Sequence, residues 1–270
     1  MNADLFDRRA VLFLPASRPS AIERARASMA ELVILDLEDA VKPEDKEGAR
    51  AAAVSAVGES WPMPLAVRVN GIGSAWHDDD LAALAASPVT HLVLPLVDDP
   101  EDIERVASAS GKPVLAMIET ARGVLTAQAI AHKAAALIVG TNDLAADLRL
   151  PAGAGRGPLQ TVLQSVLLAA RAARIPATDG VFNRLDDPEG FAAECAESRR
   201  LGFDGKSLIH PDHIAACLAA FAPTPEEIAR AERLVAAATG GAERFENAMI
   251  ETMHVEAARR LLQRNRSLRA

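Results

Sequence analysis

The stretch PVLAMIETARGVLTAQAIAHKAAALIVGTND, residues 113–143, holds two short apolar runs on either side of a helix-like segment. The first run, 113–119, closes on Glu119; the second, 135–139, is followed by Gly-Thr-Asn and then Asp143. Short runs rich in Val, Ile and Leu, apolar without alternation, read as strands buried on both faces, as in an all-parallel sheet. The alanine-rich segment 122–132 between them reads as a crossover helix. Parallel strands one βα unit apart bring Glu119 and Asp143 to the same rim of one sheet. Two carboxylates converging on a rim disfavour each other's ionisation unless positive charge sits between them. A hard divalent cation such as Mg²⁺ takes one or two protein carboxylates and keeps the rest of its shell for water and substrate, and it suits this pair.

The same alternation runs outward in both directions. Strands are expected at 10–15, 32–37, 65–69, 91–97, 113–119, 135–139, 175–179 and 203–209, with helices near 19–30, 44–57, 78–86, 100–109, 122–132, 158–173 and 187–201. Strand–helix alternation argues for βα units, and eight units in this length are what a closed (β/α)₈ TIM barrel requires. An open doubly wound sheet is second choice, because no Gly-rich dinucleotide fingerprint is present. Residues 1–222 are assigned to the barrel as the catalytic domain, with 211–221 as its eighth helix. Residues 223–270 form a helical C-terminal extension, a lid or an oligomer contact. Within it Thr224 caps a helix over 226–238, Gly240 and Gly241 end that helix, and a last one covers 252–268. The glycine-rich segment RLPAGAGRGP, 149–158, reads as a mobile βα loop.

Composition narrows the function. The chain has 270 residues, a formal charge of −8, 3% aromatic residues and no Tyr. An acidic chain with few stacking platforms argues against nucleic acid. Cys195 and Cys217 lack CxxC spacing and read as two buried thiols in a reducing compartment. The N-terminal segment carries acids and no apolar core, unlike a secretory signal, and no apolar run approaches a membrane span. The expected location is the cytoplasm.

In a barrel, chemistry collects at the C-terminal ends of the strands. Strand two ends in Asp36, Glu38 and Asp39, and strand three in Arg68 and Asn70. Strand five ends in Glu119, six in Asp143, seven in Asp179 and eight in Lys206. Each has a structural explanation alone: Asp143 as a cap for a helix beginning at Leu144, Asp179 as a turn starter, Arg68 as an ion-pair partner. Their coincidence at one end marks a site.

These residues lie in segments that carry a resemblance. RRAVLFLPASRP, VILDLEDAVKPEDKEGAR, VRVNGIGSAW, MIETARGVLTAQAIA, GTNDLAADL and GFDGKSLIHPDHI resemble the citrate lyase β-subunit family of the wider HpcH/HpaI aldolase superfamily, in order along nearly the whole chain. The helix containing ENAMIETMHVEAARR resembles that of a subgroup with malyl-CoA lyase-like and malyl-CoA thioesterase members. The resemblance implies Mg²⁺-dependent carbon–carbon cleavage of a 3-hydroxyacyl thioester, citryl or malyl, carried on CoA or an acyl carrier. By motif, Glu119 and Asp143 correspond to the metal ligands and Arg68 to the arginine that stabilises the enolate or carbonyl oxygen. Glu38 and Asp39 correspond to acids that hold the metal's waters. Arg9 and Arg18 correspond to a region that holds CoA. Members are often homotrimers whose C-terminal segment covers a neighbour's site, with an aspartate there as the acid.

Three departures from the family pattern stand out. Leu96 follows Pro95 where a lysine is usual, Ala16 replaces a glycine, and Glu251 stands where the lid aspartate is expected. Glu251 reads either as that acid or as an exposed glutamate at a helix start. His210, in the IHP motif, reads as structural and His77 as a solvent-facing loop residue. Two rivals to the lyase stay open: a (3S)-malyl-CoA-type thioesterase on the same site, and a non-catalytic subunit of a larger complex.

Overall fold

The computed structural model describes residues 5, 6 and 8–267. The chain divides into two compact units, Met1–Ala220 and Phe221–Ala270. In the first, eight parallel strands close into a barrel in the order β1 to β8, so the first strand pairs with the last. They are β1 (Ala10–Pro15), β2 (Leu32–Asp36), β3 (Leu65–Arg68), β4 (His91–Leu94), β5 (Val114–Ile118), β6 (Ala136–Val139), β7 (Ala177–Asp179) and β8 (Gly205–Leu208). The helices are α1 (Pro19–Arg26), α2 (Lys46–Val57), α3 (His77–Ala85), α4 (Pro100–Ser110), α5 (Ala121–Ala131), α6 (Thr141–Asp147), α7 (Gln160–Ala173), α8 (Pro188–Leu201) and α9 (Ile214–Phe221). The (β/α)₈ expectation is met, and the open sheet is excluded by closure between β1 and β8.

Local chemistry sets the joints. Asp99 caps α4 by accepting from the Glu101 N–H at 3.0 Å, and Pro100 occupies the first turn, where its missing N–H costs nothing. Thr120 caps α5 in the same way through the Gly123 N–H, 2.9 Å away. Strands run shorter than their apolar runs. β4 stops at Leu94 because Leu96 adopts a left-handed backbone, φ 52°. β7 starts only after Pro176, which has no N–H for the ladder. The inner face of the barrel packs Val11, Ile34, Ala66, Val93, Leu115, Met117 and Ile138, with Phe13 against them. All sit below the C-terminal rim and form its floor.

Two details differ from expectation. A short helix, α6, begins at Thr141 and takes Asp143 into its first turn, so Asp143 is not its cap. The glycine-rich loop that follows is not free along its length. Arg156 anchors its end, with Nη2 2.8 Å from Asp179 and Nε 3.0 Å from Glu197.

The second unit contains α10 (Pro225–Ala237), a hairpin of β9 (Glu243–Phe245) and β10 (Ala248–Ile250), and α11 (Thr252–Ser267). Thr224 opens α10 with a reciprocal capping box: its hydroxyl accepts from the Glu227 N–H, and Glu227 accepts from its N–H. Ala231, Leu234, Phe245, Ile250, Val255 and Ala258 form this unit's own core. The extension is therefore not purely helical: the first third of the segment ENAMIETMHVEAARR is hairpin, where burial of Ile250 against Phe245 outweighs helix propensity. Residue 268, placed in the last helix above, lies outside the described residues, as does most of the N-terminal segment read against a secretory signal. Among the described residues no helix is long and apolar enough to cross a membrane.

Candidate active site

A cavity of about 300 Å³ opens at the C-terminal ends of the strands. Asp36, Asp39, Arg68, Glu119, Asn142, Asp143 and Ser207 contribute its polar lining, and Phe13, Met117, Val139, Val181 and Ile209 its apolar walls. Four of the acids and the arginine singled out from the sequence thus meet in one pocket.

Arg68 organises it. Asp36 and Arg68 are register partners on β2 and β3, so their inward side chains lie side by side. The guanidinium donates through Nε to Asp36 Oδ1 at 2.6 Å and through Nη2 to Oδ2 at 2.7 Å. A bidentate fork of this kind fixes the plane of the arginine. Asp36 is itself held by the N–H groups of Glu38 and Ala40, at 2.9 and 3.0 Å. Arg68 Nη1 is left facing Glu38, 2.8 Å away, and Asp39, 3.8 Å away. Burial alone would lower the arginine's pKa, but Asp36 and Glu38 hold it above the ordinary value. Arg68 is thus a permanent, oriented cation at the pocket wall.

Underneath, Lys46 clips the acidic turn. Its buried ammonium donates to the carbonyls of Leu37 and Glu38, at 2.7 and 2.8 Å, and to Asn70 Oδ1, at 2.6 Å. Sequence reading missed it because a lone lysine in PEDKEGAR has the look of a solvated helix start. His77, expected in solvent, is buried at the start of α3 with Nδ1 2.7 Å from the Asn70 carbonyl. The network around Asn70, which also includes Asp80, pulls it inward.

The carboxylates carry the electrostatic imbalance. Glu119 is 3% exposed, and its Oε2 accepts the Leu96 N–H at 2.7 Å. The left-handed turn at Leu96 is what aims that N–H inward. Glu119 Oε1 lies over Gly140, where a Cβ would approach to 2.4 Å, so only glycine leaves room for this carboxylate. Burial pushes the Glu119 carboxyl up to about 7; the Leu96 N–H and Arg68 oppose the rise, and Asp143 adds to it. Burial likewise raises Glu38 to about 7, against Arg68 and with Asp39 and Asp36. Asp143 is raised by burial and by Asp39. Glu38 Oε2, though close to Nη1, is a buried oxygen without an aligned hydrogen bond.

Such surplus negative charge around orphaned oxygen suits a hard cation. Among the described residues no three His, Cys, Asp or Glu side chains converge as a preformed metal cage. A two-carboxylate set completed by waters and substrate is the Mg²⁺ pattern and needs no such cage. The chemistry of the Glu119 and Asp143 carboxylates suits such an ion.

Other residues expected in the site lie elsewhere. Arg9 precedes β1 at the opposite, N-terminal end of the barrel, where its guanidinium grips Glu31 and donates to the Leu218 carbonyl at 3.2 Å. It is therefore a structural bolt and not a CoA contact. Arg18 does stand at the functional end, where it lines a groove of about 460 Å³ with Arg24, Pro15, His210 and Ile209. Ile209 lines both this groove and the acidic pocket, so the two lie side by side. Arg24 was not singled out because an arginine on an exposed helix face carries no linear sign of the groove it lines. Asp179 and Lys206 are absent from the pocket lining. They are register partners that bond each other at 2.9 Å beneath α8, with Glu194 2.7 Å from the ammonium. Glu251 belongs to the other unit, immediately before α11, with its N–H donated to His254 Nδ1 at 3.0 Å.

A family model for HpcH/HpaI aldolase/citrate lyase matches residues 9–211. The chain is 37% identical over 274 residues to a (3S)-malyl-CoA thioesterase of Cereibacter sphaeroides, covering 97% of this chain and 96% of that protein. It is 32% identical over 247 residues to the citrate lyase subunit beta of Leuconostoc mesenteroides, covering 85% and 82%. Protein CitE of Mycobacterium tuberculosis, solved with magnesium, acetoacetate and coenzyme A, matches with a TM-score of 0.87 at 34% identity, over 97% of this chain and 99% of that one. With a motif-bearing pocket, a family model across the barrel and relatives similar along almost the full length, the chain belongs to the HpcH/HpaI aldolase/citrate lyase family.

Proposed function

We propose that this protein is a Mg²⁺-dependent carbon–carbon lyase that splits a 3-hydroxyacyl thioester, citryl or malyl, into a keto acid and an acetyl thioester. The observation that carries the reading is one pocket in which Glu119 and Asp143 face the fixed guanidinium of Arg68. Mg²⁺ held by Glu119 and Asp143 would supply a template and Lewis acid for the carboxylate and carbonyl oxygens of the keto-acid half. When the bond between C2 and C3 breaks, its electron pair moves onto the thioester and the 3-hydroxyl gives its proton to the carboxylate of Glu38 or Asp39, directly or through a water. Arg68 meets the negative charge that develops on the thioester oxygen, and the Asp36 fork spares it any reorganisation. Glu38 and Asp39 would accept hydrogen bonds from the waters that such a cation keeps. The enolate carbon finally takes a proton, which we assign to Glu251 delivered by the tail of a neighbouring copy in a homotrimer. The groove with Arg18 and Arg24 takes the phosphate-bearing arm of CoA or an acyl carrier.

A second reading is favoured by the likeness to a (3S)-malyl-CoA thioesterase. There water attacks the thioester carbonyl, the carbon–sulfur bond breaks, and Arg68 meets the same oxyanion. Incubation with (3S)-malyl-CoA and citryl-CoA plus Mg²⁺ separates them. Glyoxylate or oxaloacetate with acetyl-CoA supports the lyase, whereas free CoA with malate or citrate supports the hydrolase. Neither product set, with intact Mg²⁺ binding, would return the chain to the role of a non-catalytic subunit.

A further inference from the structure

Ser207 is a pocket group that the reaction above leaves without a role, and unlike Asn142, which bonds Asn183, its side chain has no partner among the described residues. It sits on β8 between Lys206, which points outward beneath α8, and Leu208, so strand alternation turns its side chain into the barrel. The residue is 2% exposed and lines the acidic pocket. Its Oγ has no hydrogen-bond partner among the described residues. Buried hydroxyls are paired in the large majority of cases, and one left unpaired inside a binding pocket is a group kept for a ligand.

Its place on the barrel says which half of the ligand it meets. The acids Glu119 and Asp143 follow β5 and β6, whereas Ser207 lies on β8, two strands beyond β6 and adjacent to β1. Ile209, two residues further along β8, borders both the pocket and the Arg18–Arg24 groove. Ser207 therefore stands on the side of the pocket nearest that groove, away from the β5–β6 carboxylates.

We infer that Ser207 is a substrate-binding residue whose hydroxyl donates a hydrogen bond to the thioester carbonyl oxygen, beside Arg68. The inference rests on the thioester reading proposed above and deepens it. It requires the acyl carbonyl to lie at the β8–β1 side of the pocket while the keto-acid half lies at the β5–β6 side.

The test compares acetyl-CoA with S-ethyl-CoA, which has the same arm and chain length but no carbonyl oxygen. Binding is measured by calorimetry on the full chain in Mg²⁺ for wild type, Ser207→Ala and Ser207→Thr. Loss of one hydrogen bond to a neutral acceptor predicts that Ser207→Ala binds acetyl-CoA about threefold to tenfold more weakly. Binding of S-ethyl-CoA should not change, and Ser207→Thr, which keeps the hydroxyl, should recover most of the loss. With a turned-over thioester, the same variant should lower kcat/KM, while the affinity for glyoxylate or oxaloacetate with Mg²⁺ stays at the wild-type value. Equal weakening of acetyl-CoA and S-ethyl-CoA, or no weakening of either, overturns the assignment. Wild type that binds a keto acid with Mg²⁺ but neither CoA probe removes the thioester reading itself, and Ser207 with it.

Discussion

Two places on the same rim of the barrel each carry an acid and a base in register, and they have opposite electrostatics. On β7 and β8 the pair Asp179–Lys206 points outward beneath α8, where Glu194, Glu197, Arg156 and Ser198 complete it. Burial would push Asp179 up and Lys206 down, yet Lys206 and Arg156 hold the acid below its ordinary value, and Asp179 and Glu194 hold the base above its own. On β2 and β3 the pair Asp36–Arg68 points inward, and one guanidinium must serve Glu38, Asp39 and, across the pocket, Glu119. Here burial wins, and Glu38 and Glu119 both rise to about 7. A charge at a strand end is thus a bolt or a tool according to the face of the sheet it takes and whether its neighbours neutralise it.

The comparison is most easily broken at the bolt. Lys206→Met leaves Asp179 and Glu194 buried without their main cation, and loss of one partner from such a pair costs about 3–5 kcal/mol. Urea unfolding measures this directly; a loss under about 1 kcal/mol would show that the β7–β8 cluster is not structural. At the tool the sign reverses. A carboxyl raised from 4.5 to about 7 binds its proton in the folded state first. The metal-free protein therefore gains stability as pH falls from 8 through 7 towards 4.5, and loses that gain as pH rises again. For Glu119 the full window is worth about 3 kcal/mol. Glu119→Gln should flatten that share of the curve and leave the metal-free protein at pH 8 no less stable than wild type. The same variant should lose the rise in Tm that Mg²⁺ gives wild type. The bolt does not interfere between pH 5 and 8, since Asp179 gives up its contribution only in stronger acid and Lys206 only in stronger base.

A third variant keeps every carboxylate and removes only the room for one. Gly140→Ala places a Cβ 2.4 Å from Glu119 Oε1 and Cγ, so the carboxylate must shift. Overpacking of this kind costs about 1–3 kcal/mol. The expected result is a folded barrel whose Tm no longer responds to Mg²⁺; an undiminished response would mean that the placement of Glu119 is not what binds the ion.

Much of this was legible in the sequence because it follows from period and order. Eight buried apolar runs separated by helices leave few topologies, and Glu119, Asp143, Arg68 and Asp39 fall at one end as soon as the barrel is assumed. What stayed hidden depends on which way a side chain faces or on partners far along the chain. Asp179 and Lys206 occupy strand ends just as Asp36 and Arg68 do, and only the register and the outward face separate them. Arg9 lies one residue before a strand and so at the wrong end of it, a distinction that a motif spanning the whole turn does not make. Lys46 and Asn70 meet across 24 residues, and no periodicity marks either one. The hairpin of the tail was missed because Ala-Met-Ile is as compatible with a helix as with a strand.

Leu96 sharpens the comparison at its smallest scale. This leucine sits at φ 52° with its side chain 49% exposed, so little apolar burial rewards the strained backbone. A non-glycine residue there costs roughly 1–2 kcal/mol, and glycine avoids the cost but adds roughly 0.5–1 kcal/mol of unfolded-chain entropy. Leu96→Gly should therefore change stability by no more than about 1.5 kcal/mol, in the stabilising direction, and keep the N–H that Glu119 accepts. Leu96→Pro can adopt neither the angle nor the bond, and should abolish the Mg²⁺ response seen in Tm. If the glycine variant also lost that response, the leucine side chain and not the backbone N–H would be what places Glu119. The acid would then be steered by packing, as a bolt is, and not by the turn that hands β4 over to α4.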